Sequence, residues 1–544
     1  MRDTPPAPGS LERAVAHTRA AQWTFVAVAV ALLPLMVAAS FDFGVTWDEK
    51  ARHRYGELVW EFLRGLRGRS SFPETGGHLY GGLFDTLCVI VEQWLPQNRY
   101  VVRHEINAIF GWIGVVYCGR LAARLFGTWS GVLAMILLAA SPRYFADSMN
   151  NPKDLPFAAL SVAALYYFST VSPTWPYISR STAVKIVVAL ALALNVRAGA
   201  LLYLGYLGLL VAAFVIAERN TNWRRLMDTA ARLTVVTVAV LLLGTLFWPW
   251  AQGAPLTRPV QALLGVADYP WAGGVLFNGQ GYAAPDLPWY YAPLWFLIST
   301  PLVVLAGAVL SISLRRGAAS LPRIALWLVA VLPVFLVIAK DSTLYDGVRH
   351  LLFVYPILVV LAASGWAAWL SEGSHPWIRR TAAALLVAGV ANVIAFHVRF
   401  HPNQTVYFNE LLGGPRGAFA RFDMDYWGNC VLEAVAWSAR TAQLSGRPIS
   451  ISGNPWHVAQ LDAERFPSLY FTPPHRDHHL SVHLSRGSAE VVTGLATRED
   501  ALYRVRTADG VVLCVVVPGP AYAELQPHIS FPPTGWSPRE LTRR

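Results

Sequence analysis

Lysine is nearly missing from this chain of 544 residues, which holds only Lys50, Lys153, Lys185 and Lys340. Charge of either sign is scarce: Asp, Glu, Lys and Arg together make 14% of the residues, against about 25% in a soluble globular protein. With 54% of residues hydrophobic, that scarcity excludes a soluble domain and points to a membrane protein. Cysteine is also rare. Cys88, Cys118, Cys430 and Cys514 are too few and too widely spaced for a disulfide framework or a zinc site. Cys430 and Cys514 share a polar C-terminal region and can pair only if it faces an oxidising compartment. A cleavable signal peptide is not expected. The first apolar run, 22–40, ends in Ala-Ala-Ser but is long enough to span. The formal charge of +11 rests on Arg residues that flank apolar segments instead of forming one stripe, which argues against nucleic-acid binding.

What the chain does have is apolar length. A helix needs about 20 apolar residues to cross the hydrocarbon core. Candidate spans are 22–40, 106–126, 128–142, 155–171, 183–196, 199–217, 232–249, 290–312, 322–339, 350–370 and 378–397, about eleven transmembrane helices. The 183–217 run is interrupted only by Asn195–Gly199, read as a tight break between two helices. Many of the 21 Trp and 21 Tyr lie beside these runs, where interfacial belts form.

Basic residues in short loops set the orientation. With Arg2, Arg13 and Arg19 in the cytoplasm, alternate loops carry Arg120 and Arg124, Arg180 and Lys185, Arg219, Arg224 and Arg225, Arg315, Arg316 and Arg323, and Arg379 and Arg380. All fall inside, so the N-terminus is expected in and the C-terminus out. The expected organisation is a cytoplasmic tail, 1–21, and a transmembrane domain, 22–397. Its long outer loops are 41–105, 143–154, 250–289 and 340–349. A small extracytoplasmic α/β domain follows over 398–544. That last segment has β-prone runs such as Pro-Ile-Ser-Ile-Ser-Gly and a helix expected over 429–444. Its His475, His478, His479 and His483 read as a loop leading into a strand, with a metal site as the lesser alternative.

The outer segments gather acids and cations. Asp48 and Glu49 follow the first span by eight and nine residues and must lie at or beyond the membrane surface, because a charge in hydrocarbon costs about 2.5–3.5 kcal/mol. Capping of the next helix is the plain reading of that pair. The helix itself reads as amphipathic, with Tyr55, Leu58, Val59, Phe62, Leu63 and Leu66 on one face and Arg52, Arg64, Arg67 and Arg69 largely on the other, suited to the headgroup plane. Lys153 and Asp154 open a later span with Pro156 in its first turn. Arg349 and His350 stand at the mouth of the tenth span, against the positive-inside trend, and Arg197 is a lone outer cation. Such a set suits a substrate with a phosphate at the headgroup and an apolar tail below. A carboxylate would deprotonate an incoming hydroxyl, and the cations would neutralise a departing phosphate.

Asp48-Glu49 opening the first outer loop, Gly-His-Leu-Tyr-Gly-Gly around His78, Arg-His-Glu-Ile-Asn-Ala-Ile-Phe-Gly from Arg103, Asn-Pro-Lys-Asp-Leu-Pro-Phe with Asp154, and Tyr-Asp-Gly-Val-Arg-His before the tenth span together resemble a known family. It is that of the polytopic GT-C-fold glycosyltransferases, in the family-39-like branch that holds protein O-mannosyltransferases and the lipid A aminoarabinose transferase. The likeness covers about residues 20–430. It implies an inverting transfer of a monosaccharide from a polyprenyl-phosphate donor to a hydroxyl of an extracytoplasmic glycolipid, cell-envelope glycan or protein. It also implies residence in a bacterial inner membrane. Asp48 is then the general base, Glu49 positions the acceptor or the base, and Asp154 orients the acceptor or supports the base. Lys153, Arg103, Arg349 and His350 hold the donor phosphate, with Arg197 and His78 as further candidates. No metal or other cofactor is expected beyond the lipid-linked donor. The rival reading is a transporter or lipid flippase, which would place ionisable residues near the midplane of repeated halves. Only Arg197 favours it, since the spans are nearly free of acids and no internal repeat is evident.

Overall fold

The computed structural model describes residues 10–72, 77–218, 222–271, 273–313, 320–371 and 373–533. Arg2, Arg219, Arg315 and Arg316, used above for orientation, lie outside the described residues. The helices run α1 (Ser10–Ser40), α2 (Glu49–Leu63), α3 (Leu83–Glu92), α4 (Arg99–Phe126), α5 (Thr128–Ala140), α6 (Pro142–Asn150), α7 (Asp154–Phe168), α8 (Arg180–Leu194), α9 (Ala200–Ala217), α10 (Trp223–Leu243) and α11 (Arg258–Ala267). A short hairpin of β1 (Gly274–Phe277) and β2 (Gln280–Ala283) precedes α12 (Tyr291–Ser299), α13 (Leu302–Ser313), α14 (Ser320–Ala339), α15 (Tyr355–Trp369) and α16 (Pro376–Phe400).

All eleven apolar segments are helical, but they do not all span alone. Among the described residues, seven helices are long and apolar enough to cross a membrane by length and composition. Two further segments are bent pairs, α5 with α6 at 68° and α12 with α13 at 112°, which brings the count of spans to nine if each pair is one. The bends have a local cause: Pro142 and Pro301 lack the N–H that would continue the preceding helix. Helices α7 and α8 have 15 residues each, about 22 Å at 1.5 Å per residue, and fall short of the hydrocarbon thickness. The expected break between α8 and α9 is present. Asn195 secures it by donating to the Leu243 carbonyl at 2.8 Å and accepting from the Phe247 N–H at 2.8 Å. Helix α15 lies almost wholly inside the bundle against α4, α5 and α13, whereas α1, α14 and α16 keep most of their length on the outside.

Helix α2 does not lie as a detached surface helix with Arg52 on its wet face. It packs on α3 so closely that a Cβ at Gly56 would come within 2.5 Å of the Asp85 carbonyl. Arg52 is buried there and ion-pairs with Asp85. The buried Asp85 carboxylate needs a cation, which outweighs the preference of Arg52 for water. Leu66, assigned to the apolar face, is 67% exposed.

After α16 come α17 (Gly414–Ala418), α18 (Cys430–Leu444) and α19 (Trp456–Ala463), with a five-stranded sheet of order β4-β3-β5-β7-β6. Its strands are β3 (Ile449–Asn454), β4 (Leu469–Phe471), β5 (Leu480–Leu484), β6 (Tyr503–Arg506) and β7 (Val512–Pro518). The β3 strand pairs in parallel with β4 and β5, and β7 runs antiparallel to β5 and β6. Cys430 at the start of α18 and Cys514 in β7 form a disulfide. This sheet region docks on the same end of the bundle as the first outer loop: the Gly44 N–H donates to Asn429 at 3.0 Å and the Val45 N–H to Asp462 at 3.3 Å.

Candidate active site

The turn Thr46-Trp47-Asp48-Glu49 has the Thr-x-x-Glu spacing of a capping box. Glu49 reaches back so that its carboxylate accepts from the Thr46 N–H at 2.8 Å and the Thr46 hydroxyl at 3.2 Å. Asp48, at the helix N-cap, makes no capping bond with its own side chain. Glu49 therefore braces the turn ahead of the helix, and the neighbouring Asp48 carboxylate is left for the cavity. Beneath the turn a charge network is sealed from solvent. His104 stands 3.1 Å from Glu49, Arg103 3.8 Å from Glu49 and 2.8 Å from Asp85, and Arg52 pairs with the other Asp85 oxygen.

The start of α7 brings two charges with opposite fates. Asn151 accepts from the Asp154 N–H at 3.0 Å, tying down the first turn ahead of Pro156. Asp154 is buried and ion-pairs with Arg197 from the α8–α9 break. Lys153 turns the other way and places its ammonium 2.8 Å from Asp48 Oδ2. Arg349 reaches the same oxygen at 3.2 Å, its guanidinium 4.6 Å from the Tyr345 ring centre and 4.8 Å from that of Trp427. Burial pushes the Asp48 carboxyl up, but Lys153 and Arg349 outweigh it and hold it well below the usual carboxylate range.

Three adjoining cavities meet here, and Tyr80 and Tyr269 line all of them. The first, of about 270 Å³, is almost wholly apolar and runs between α9, α11 and α14, with Arg197 and His350 on its wall. The second, of about 550 Å³, has Asp48, Lys153, Arg349 and Asp346 with Trp47, Trp271 and Trp427, and takes His457 and Arg486 from the C-terminal region. The third, of about 390 Å³, lies between Asp48, Lys153, Arg52 and His78. Asp48 and Lys153 thus stand on the partition between two polar cavities, beside the mouth of an apolar one.

Asp48, Lys153, Arg349, His350, Arg197 and His78 all face cavity space. Glu49, Asp154 and Arg103 do not: each is at most 2% exposed and stands behind the wall. Arg103 pairs with Asp85 and Glu49 behind that wall. Among the described residues no three His, Cys, Asp or Glu side chains converge as a metal site would need. His478 bonds Ser481 and His479 bonds Ser450 instead.

Three further residues line these cavities that were not among the expected site residues. Tyr80 is brought in because Gly81 meets the α8–α9 break, where a Cβ would lie 1.8 Å from the Asn195 carbonyl. Its ring then lies 4.9 Å from the Lys153 ammonium. Asp346 adopts φ 57° and is followed by Gly347 at 70°, a left-handed pair in which the non-glycine residue carries local strain. An Asp-Gly turn before Arg349 was the signal for it. Arg486 arrives from beyond β5, and no local pattern marks it.

No protein-family model matches this sequence, and no curated protein matches it. Solved structures do align with it. ArnT from Cupriavidus metallidurans bound to undecaprenyl phosphate aligns with a TM-score of 0.50 and 14% identity, over 91% of this chain and 97% of its own. The apo state of the same enzyme gives 0.50 and 15%, over 92% and 98%. The Archaeoglobus fulgidus oligosaccharyltransferase in the apo form gives 0.47 and 12%, over 81% and 64%. With its apolar spans, its bent pairs and a small sheet on one chain, the protein is a polytopic membrane protein with the GT-C fold.

Proposed function

We propose that this protein is an inverting glycosyltransferase that moves a monosaccharide from a polyprenyl-phosphate donor to a hydroxyl of an extracytoplasmic acceptor. One observation carries the reading: a carboxylate held between Lys153 and Arg349 stands where an apolar cavity meets a polar, aromatic-lined one. The apolar cavity suits the first isoprene units of a carrier. The cation pair suits its phosphate, and the Trp-lined cavity suits a sugar ring. That the ArnT structure of the same fold holds undecaprenyl phosphate supports a lipid-linked donor.

In this scheme the acceptor oxygen attacks the anomeric carbon from the face opposite the phosphate. The bond from that carbon to the phosphate oxygen breaks, and its electron pair leaves with the carrier. The acceptor proton passes to Asp48. Lys153 and Arg349 meet the charge that accumulates on the departing phosphate, while Glu49 and Asp154 act through Thr46 and Arg197 as positioning residues. The N-terminus lies in the cytoplasm, and the site and the sheet region lie outside. Arg197, the residue that favoured transport, has Asp154 as its partner and belongs to the same end of the bundle as the rest.

The test is a membrane assay with radiolabelled polyprenyl-phosphate sugars and a cell-envelope extract as acceptor source. Wild type should consume donor and Asp48→Asn should not. Undiminished turnover in a folded Asp48→Asn variant would remove Asp48 as the base. Absence of donor consumption by wild type would overturn the transferase reading.

A further inference from the structure

A line of alternating charges runs from the C-terminal sheet to the cavity. Arg486, two residues past β5, places Nη2 2.5 Å from Asp346 Oδ1 and donates from Nη1 to the Tyr426 carbonyl at 3.1 Å. Asp346 Oδ2 faces Arg349 Nε at 3.5 Å, and Arg349 Nη1 reaches Asp48. Asp423, buried nearby, accepts from the Leu276 N–H at 3.2 Å and also faces Arg486.

The two ends of Asp346 are not used alike. Its contact with Arg486 is a short hydrogen-bonded ion pair, whereas Arg349 Nε is buried and makes no hydrogen bond at all. Asp346 thus hydrogen-bonds Arg486 but meets Arg349 through charge alone. The turn that carries Asp346 is anchored independently, by the Gly347 N–H donating to the Tyr291 hydroxyl at 3.0 Å, so the carboxylate stays put whichever cation it serves. Without Arg486 its whole charge would fall on Arg349, whose Nε has only to close a small gap to make a full bond. That movement would draw Nη1 away from the place beside Asp48.

We infer that Arg486 is a positioning residue for the donor phosphate: by occupying Asp346 it leaves the Arg349 guanidinium free to face the subsite next to Asp48. This rests on the donor reading above and deepens it, because it makes the C-terminal sheet part of the donor site.

The experiment is titration of the full-length protein in nanodiscs with undecaprenyl phosphate, alongside thermal unfolding of each variant. Arg486→Met should weaken binding about tenfold, and Arg486→Lys, which keeps the charge, by less than about threefold; a tenfold change is about 1.4 kcal/mol. Adding Asp346→Asn to Arg486→Met should return binding to within about twofold of wild type, since no charge is left to pull Arg349 aside. Wild-type affinity in Arg486→Met overturns the inference. So does a loss that Asp346→Asn fails to repair, which would make Arg486 a docking contact of the sheet only. If Arg486→Met does not fold, Arg486→Lys decides: a loss as large as tenfold in that folded variant overturns the inference. Failure of wild type to bind undecaprenyl phosphate is a separate result, and it overturns the donor reading itself.

Discussion

Lys153 holds its ammonium 2.8 Å from Asp48 Oδ2, so the proposed base and a proposed phosphate ligand are bound to each other. Arg349 shares the same oxygen at 3.2 Å. A donor phosphate that needs these cations must compete with a carboxylate already on them. Asp48→Asn removes that competitor without changing the shape of the site. It should bind undecaprenyl phosphate more tightly, by about tenfold, while losing roughly a hundredfold or more in turnover, as expected for removal of a general base. Weaker binding in the variant would show that Asp48 organises the cations instead of competing for the phosphate.

The same geometry predicts a split in the pH profiles. In the free protein Lys153 and Arg349 hold the Asp48 carboxyl well below the usual carboxylate range, against the upward push of burial. A bound phosphate diverts both cations and lets the carboxyl rise. The acid limb of kcat/KM for the donor reports the free enzyme, and that of kcat reports the loaded one. The kcat limb should therefore lie at higher pH. Coincident limbs would mean that the cations stay with Asp48 throughout.

Glu49 is the residue whose loss should hurt stability and turnover together. Removing its carboxylate leaves the Thr46 N–H and the buried His104 without their partner. Glu49→Ala should cost on the order of 3 kcal/mol, read as a lowered unfolding midpoint. Glu49→Gln keeps an acceptor for the Thr46 N–H and should recover most of that stability. If Glu49→Ala unfolds like wild type yet is inactive, the residue acts on the substrate and not through the turn.

How much of this was legible in the sequence depended on whether the signal was local. The apolar runs announced the long spanning helices, because burial in lipid demands consecutive apolar residues, whereas α3, α6 and α11 lie in segments read as outer loops. The bend at Pro301 did not show in hydropathy, since 290–312 is apolar on both sides of it, and α6 was hidden because Arg143 and Asp147 make the stretch after Pro142 read as a polar loop. Asp48 and Lys153 were visible as charges gathered in the outer loops, and Arg349 as a cation against the positive-inside trend. The division of labour inside Asp48-Glu49 was not, although Thr46 already supplied the capping-box spacing. Arg486 could not have been found: it meets Asp346 across 140 residues of chain, and only the docking of the sheet brings them together.

Asp462 links the sheet region to the loop that carries Asp48, and it should make stability depend on pH. It is fully buried in α19, accepts from the Val45 N–H with Oδ1, and has no hydrogen-bond partner for Oδ2. Burial pushes its carboxyl up to about 6, with Arg465 and the Val45 bond pulling it part of the way back. Asp423 is pushed by burial to about 7 in the same way. A carboxyl raised on folding favours the folded state most fully below the ordinary Asp value, and that contribution is lost as pH rises through the raised one. Wild type should therefore become less stable between about pH 4 and pH 7, by on the order of 3 kcal/mol per group. Asp462→Asn keeps an oxygen for the Val45 N–H and cannot ionise, so it should unfold at a higher temperature than wild type at pH 7 and match it below about pH 4. Thermal unfolding of both proteins across that range is the measurement. Parallel curves would mean that Asp462 keeps its charge in the folded protein, with Arg465 at 3.7 Å as the counter-charge.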